Sequence, residues 1–227
     1  MAVSIAQQSV DQLGGEASVL ARQRRDHAEL DRLMNLYESG GQDQDERRRT
    51  LRDVVQLTFS HAFAEEIVLW PALRRLAPDG EELTARVEEE HQEINHLVAE
   101  MERLDPGDPR REELAARVFA LIRQDIRDEE DLLLPRLQEA LEHDRTRLRR
   151  LGSAWETVRR TAPTHPHPAV SRRPPGNALA GVPLSAFDRV RDLWPAGTRG
   201  PLGRVVAVVA AALAAVWLAA RSLRGRR

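Results

Sequence analysis

Residues 61–71 read HAFAEEIVLWP, and this stretch decides the fold. On a helix, positions four apart stack on one face, so His61 and Glu65 are neighbours there. The apolar residues Val54, Leu57, Ala64 and Val68 turn that same face toward a core. An imidazole and a carboxylate are therefore directed inward. A carboxylate buried without a partner is strongly disfavoured unless it takes up a proton, and a bound cation is the compact compensation.

The stretch recurs. Residues 125–135 read DIRDEEDLLLP, with Asp125, Glu129 and Pro135 standing 64 positions after His61, Glu65 and Pro71. His27 in HAELDRLM and His91 in HQEINHLV are separated by the same 64. A single offset shared by four landmarks reads as two copies of a helix pair. Each copy carries one lone His on its first helix and a His/Asp-xxx-Glu pair on its second.

Composition narrows the chemistry. The 227 residues suffice for one domain of about 150 residues with its own core and an additional piece. Aromatic residues make up 4%, and β-branched residues do not alternate, which favours an all-α domain. Cysteine is absent, which excludes disulfides, thiolate metal sites and thiol catalysis. Any metal must be held by His, Asp and Glu, a set that suits iron, manganese or zinc. All 34 basic residues are Arg, from which we draw no chemistry. Residues 1–158 carry a net charge of −12 and residues 159–227 carry +10. The acidic part reads as a solvated surface. The basic tail leads into an apolar run and suits anionic lipid rather than nucleic acid.

Along the chain, residues 1–17 lack the basic start and apolar stretch of a secretory signal and are expected to be a disordered lead. Ser18 caps a first helix that stops at Gly40-Gly41, with Leu20, His27, Leu30, Met34 and Tyr37 inward. A second helix runs over about 45–76 and bends at Trp70-Pro71, where an amide hydrogen is missing. A third, over about 81–104, turns Val87, His91, Ile94, Val98 and Met101 inward; a fourth does so with Leu114, Val118, Leu121, Asp125, Glu129 and Leu132 and bends at Pro135. Short loops make neighbours antiparallel, giving an up-down-up-down four-helix bundle over residues 18–160. Residues 144–160 form a shorter fifth helix laid against it by Leu148, Leu151, Trp155 and Val158. Residues 161–201 are a Pro/Arg-rich linker, within which LSAFDRVRDLWP suits a short amphipathic helix. In the last segment, 202–223, residues 205–220 are sixteen uninterrupted apolar residues flanked by Arg204 and Arg221. We expect a C-terminal membrane anchor there, with the bundle as a cytoplasmic head at the cell membrane.

Together the inward faces carry His27, His61, Glu65, His91, Asp125 and Glu129 at one depth. Three carboxylates converging on one layer cannot all ionise without a compensating cation, so the set reads as a metal site for two ions. Glu66 and Glu130, one position beyond, read as surface or supporting residues. Trp70 reads as packing at the bend, His143, His165 and His167 as solvated. Tyr37 is at core phase, with a role near the metals as one option.

These residues resemble the hemerythrin-like, or HHE cation-binding, family. The resemblance covers 18 to about 160 and lies in His27, the HxxxE of His61 and Glu65, His91, and the EExxLxP endings of both second helices. It implies a four-helix bundle around a non-haem di-iron centre. His27 and His61 would hold one iron, His91 part of the other, and Glu65 and Glu129 would bridge. The chain departs from the family pattern at Asp125, where His is usual, and at Asn95, where oxygen carriers have a second His; His96 is about 100° further round and faces outward. The second ion would have one His and otherwise oxygen ligands, a hard set that favours the ferric state and weakens reversible oxygen carriage. The resemblance implies a protein that binds or senses oxygen, peroxide, nitric oxide or iron itself. An iron-dependent peroxide- or oxygen-reducing enzyme and a helical scaffold with incidental metal binding are the alternatives.

Overall fold

Two prolines shape the architecture. Pro71 and Pro135 carry no N–H, and each ring crowds the turn before it. In a computed structural model, which describes residues 3–163, 165, 166 and 184, the chain answers both with one widened, π-helical turn. The Trp70 N–H bonds back to the Glu65 carbonyl, and the Leu134 N–H to the Glu129 carbonyl. The helices are α1 (Val19–Glu38), α2 (Gln44–Ala64), α3 (Trp70–Leu76), α4 (Gly80–Arg103), α5 (Arg110–Asp128), α6 (Leu134–Ala140) and α7 (Arg145–Arg160). The π turns Glu65–Leu69 and Glu129–Leu133 join α2 to α3 and α5 to α6 into two long arms. The described residues contain no strand.

Helix starts follow local chemistry. The Ser18 hydroxyl accepts from the Ala21 N–H at α1, and Asp43 forms a capping box with Glu46 at α2. Asp144 accepts from the N–H groups of Thr146 and Arg147 at α7.

Buried apolar residues fall into two clusters. One gathers the end of α1, the start of α2, the end of α4 and the start of α5, from Leu30 and Leu51 to Met101 and Ile122. The other gathers the start of α1, α3, α6 and α7 around Trp70, Leu73, Leu137 and Trp155. Between them lies a polar layer containing the inward His and carboxylate residues. The fifth helix reads as expected: Leu148 and Trp155 are fully buried. Gly152 lets α7 approach closely, since a Cβ there would lie 2.6 Å from the Ala17 carbonyl oxygen.

Two expectations are corrected. Residues 3–17 are not a disordered lead: Ile5 and Leu13 are fully buried in the Trp70 cluster, and Gln8 hydrogen-bonds the Gln138 side chain. Two apolar residues spaced along a polar segment were enough to dock it. The membrane-anchored localisation is overturned, because no helix among the described residues is long and apolar enough to cross a membrane. Each long helix is amphipathic, carrying charge on its outer face. The apolar run 205–220, the short helix expected before it, most of the linker, and His167 lie outside the described residues.

Candidate metal centre

Each π turn brings consecutive glutamates inside. Glu65 and Glu66 are fully buried, and Glu129 is 1% exposed with Glu130 largely covered beside it. Successive residues of a regular α-helix diverge by about 100°; here the first glutamate of each pair turns to the centre and the second to a lone His.

All six residues expected at the site converge. His27, His61, Glu65 and Glu129 offer ligand atoms within 4.8 Å of one another, and so do His91, Asp125 and Glu129. His27 Nε2 and His61 Nε2 are 3.1 Å apart. On that side, Glu129 Oε2 lies 3.1 Å from His27 Nε2, and Glu65 Oε1 lies 3.1 Å from His61 Nε2. The other oxygen of each glutamate faces the second half, with Glu129 Oε1 at 3.8 Å and Glu65 Oε2 at 3.9 Å from His91 Nε2. Asp125 Oδ2 is 3.3 Å from that nitrogen. Glu65 and Glu129 thus each present one oxygen to either half.

The outer ring nitrogens are held by partners crossed between the copies. His27 Nδ1 donates to Glu130 at 2.8 Å, and His91 Nδ1 donates to Glu66 at 3.0 Å. Each copy's second arm supports the other copy's lone His. Fixing Nδ1 as donor leaves the Nε2 lone pair directed inward, the arrangement a metal-binding imidazole requires. His61 Nδ1 faces Asp26 Oδ2 at 3.6 Å, and Asp26 is approached by Arg159 of α7 at 3.5 Å. The Trp155 ring stands edge-on to His61, with centroids 5.5 Å apart.

The chemistry of the donors tests whether a cation fits. Both oxygens of Glu65 and of Glu129 are buried without a hydrogen bond, an arrangement that strongly disfavours an uncompensated charge. Without metal, protons must compensate. Burial works against charge on His27, but the adjoining Glu129 carboxylate and the hydrogen bond to Glu130 prevail and raise its pKa to about 9. His61 and His91 are likewise raised against burial, chiefly by the charges of Glu65 and Asp125 respectively. Burial and the charge of Glu129 push Glu65 up to about 7. Glu129 goes well down despite burial, because all three imidazoles stand around it. The donors fit a cation that displaces those protons.

Glu66 and Glu130 are supports of the lone His residues, the second of the two roles expected of them. His96 is exposed, as its helical phase requires. Tyr37 has no part in the site: its hydroxyl bonds Glu112 at 3.1 Å, and it lies ten residues beyond His27, about 15 Å along the helix. His165, expected to be solvated, meets Glu102 at 2.9 Å. Sequence reasoning missed Asp26, Glu90 and Arg159. The offset of 64 pairs Asp26 with Glu90 and was a readable signal for both; nothing local marks Arg159.

The sequence matches the hemerythrin HHE cation binding domain over residues 18–137, a little more than half of the chain and ending before α7. An uncharacterized hemerythrin-like protein of Schizosaccharomyces pombe is 24% identical over 139 residues, covering 60% of this chain and 68% of that protein. No solved structure matches. With the repeated helix pair, the crossed His supports and the paired glutamates in view, the chain belongs to the hemerythrin HHE cation-binding domain family.

Proposed function

We propose that this chain is a non-haem di-iron protein that binds or senses a small oxidant or diatomic ligand such as dioxygen, peroxide or nitric oxide. His27 and His61 would hold one ion, His91 and Asp125 the other, and Glu65 and Glu129 would bridge. The observation that carries the reading is the four buried carboxylate oxygens without hydrogen bonds, divided between the His27/His61 pair and His91. Mixed imidazole and carboxylate donors on the facing helices of a bundle suit a pair of iron ions, with manganese or zinc as the other candidates. The up-down-up-down path expected of the four arms is part of this proposal. The two apolar clusters support it, because each combines the end of one long helix with the start of the next.

When bound, a pair of irons supplies electrons and open coordination positions to a small ligand. The protein's own contribution is to orient and to exclude. Glu130 and Glu66 keep His27 and His91 turned with Nε2 inward, and the apolar clusters close the layer at both ends. Those walls suit a ligand of a few atoms rather than an extended substrate.

Aerobic purification with iron analysis and a visible spectrum, with and without peroxide, tests the proposal. Bound iron with a ligand-dependent absorption band is the expected result. An iron-free protein that stays iron-free after anaerobic reconstitution would overturn it. Sustained peroxide consumption over many turnovers would instead make the chain an iron-dependent reductase.

A further inference from the structure

The two halves of the centre are related by the 64-residue repeat, and the repeat is broken where it bears on metal choice. In the first half His61 stands on the second arm, with Asp26 facing its outer nitrogen at 3.6 Å. The equivalent positions in the second half are Asp125 and Glu90. The repeat therefore puts two carboxylates at the positions where the first half has a carboxylate and an imidazole. Asp128 joins them: Arg86 pairs with Asp128 at 2.7 Å and with Glu90 at 3.6 Å, so one guanidinium serves two of three acids. Asp125 Oδ1 and Glu90 Oε2 are buried without a hydrogen bond.

A second observation points the same way. Asn95 lies one turn beyond His91 on α4 and is 2% exposed, and its Oδ1 is also buried without a hydrogen bond. Its repeat partner Asp31 is instead engaged at the surface with Asn35 and Arg123. Beyond the shared glutamates, the His91 side thus holds such oxygens on three residues, Asp125, Glu90 and Asn95, and the first half on two, Asp26 and Gln23. The first half, by contrast, has two imidazoles and is flanked by Trp155 and Arg159 of α7.

Oxygen donors favour hard cations of the magnesium, calcium and manganese class, whereas imidazole suits iron and its later neighbours. We propose that the two metal positions are chemically unequal: the His27/His61 position retains iron, while the His91/Asp125 position is a weaker, exchangeable position that gives up its iron to Mn2+ in excess, its weakness set by Asp125. This rests on the two-metal reading above and adds the identity and exchangeability of the second ion. No covalent or redox step is involved.

The test uses the 227-residue chain stripped of metal by chelation, then titrated anaerobically with Fe2+ and afterwards challenged with a large excess of Mn2+. Metals retained after desalting are counted, and free Mn2+ is followed by its electron paramagnetic resonance signal. The expected result is a second iron bound at least about tenfold more weakly than the first, a difference of the size outer donors impose on metal affinity. Mn2+ should replace that iron alone, leaving one iron and one manganese per chain. The variant Asp125→His, which restores an imidazole at the repeat position, should hold both irons against Mn2+. Two irons of equal affinity, or displacement of both by Mn2+, would overturn the inequivalence and leave the two-metal reading standing. Failure to bind any iron would overturn both. An Asp125→His protein that exchanges its second iron as readily as the original would refute the role given to Asp125.

Discussion

Replacing Glu66 with Ala isolates the crossed support on which the second half depends. Glu66 is fully buried, and its Oε1 accepts from His91 Nδ1 at 3.0 Å. The truncation removes a charge-assisted acceptor from a 2%-exposed imidazole and leaves a small cavity beside it. Lost supports of this kind weaken metal affinity by about 10- to 100-fold, or about 1.4 to 2.8 kcal/mol. The loss should fall on the second iron, because His27 keeps its own support from Glu130. In the metal-free protein the His91 pKa, raised in part by Glu66, should move down in Glu66→Ala, read from imidazole proton shifts against pH. Glu66→Gln preserves an acceptor oxygen and should recover part of the affinity. The assay is anaerobic iron titration of the original protein and both variants, with Glu89→Ala as an exposed control on α4. If Glu66→Ala binds two irons as tightly as Glu89→Ala, the crossed support has no energetic role and the reasoning fails.

The metal-free protein should lose stability as pH rises. His27 keeps its proton up to about 9, against 6.5 for an ordinary imidazole; such stability is complete below the unfolded value and disappears as pH climbs through the folded one. His27 alone contributes roughly 3 kcal/mol on this count, so the urea midpoint should fall between about pH 6 and pH 9.5, and a flat or rising profile would refute the assignment. Trp155→Ala removes a fully buried ring standing against His61 and should cost about 3 to 5 kcal/mol; a loss below about 0.5 kcal/mol, within the range of surface changes, would show that α7 is not part of the core. Arg159→Ala should leave iron stoichiometry intact but alter the visible spectrum through Asp26 and His61, and an identical spectrum would remove Arg159 from the site.

Much of this was legible because the repeat is written in the residues that matter most. His27 and His91, the paired glutamates and the two prolines share one offset; helical phase then turned all six candidate ligands toward one layer. Phase also obscured something. A regular helix sets Glu66 and Glu130 well round from Glu65 and Glu129, and both lie in π turns where each meets the lone His of the other copy. Sequence reasoning saw a bend at each proline but not a change in helical period. Residues 3–17 misled for a different reason: Ile5 and Leu13 are isolated apolar residues without periodicity, and their burial depends on a cleft built by α3, α6 and α7. Arg159 reaches the site only through the docking of α7 on α1 and α2, a tertiary fact that no local pattern encodes. The expectation of a membrane anchor came from the length and uniformity of one apolar run, and no described helix has that character.

Iron per chain, measured side by side in the original protein and in Glu129→Ala, tests the central claim most directly. Glu129 presents one oxygen to each half, Oε2 near His27 and Oε1 near His91, so a single truncation removes a donor from both. After anaerobic reconstitution and desalting, the account predicts two irons per chain in the original protein and loss of both from the variant, with the helical circular dichroism spectrum retained. Two irons in each protein, or one iron in the original that survives unchanged in Glu129→Ala, would contradict a centre built around shared carboxylates.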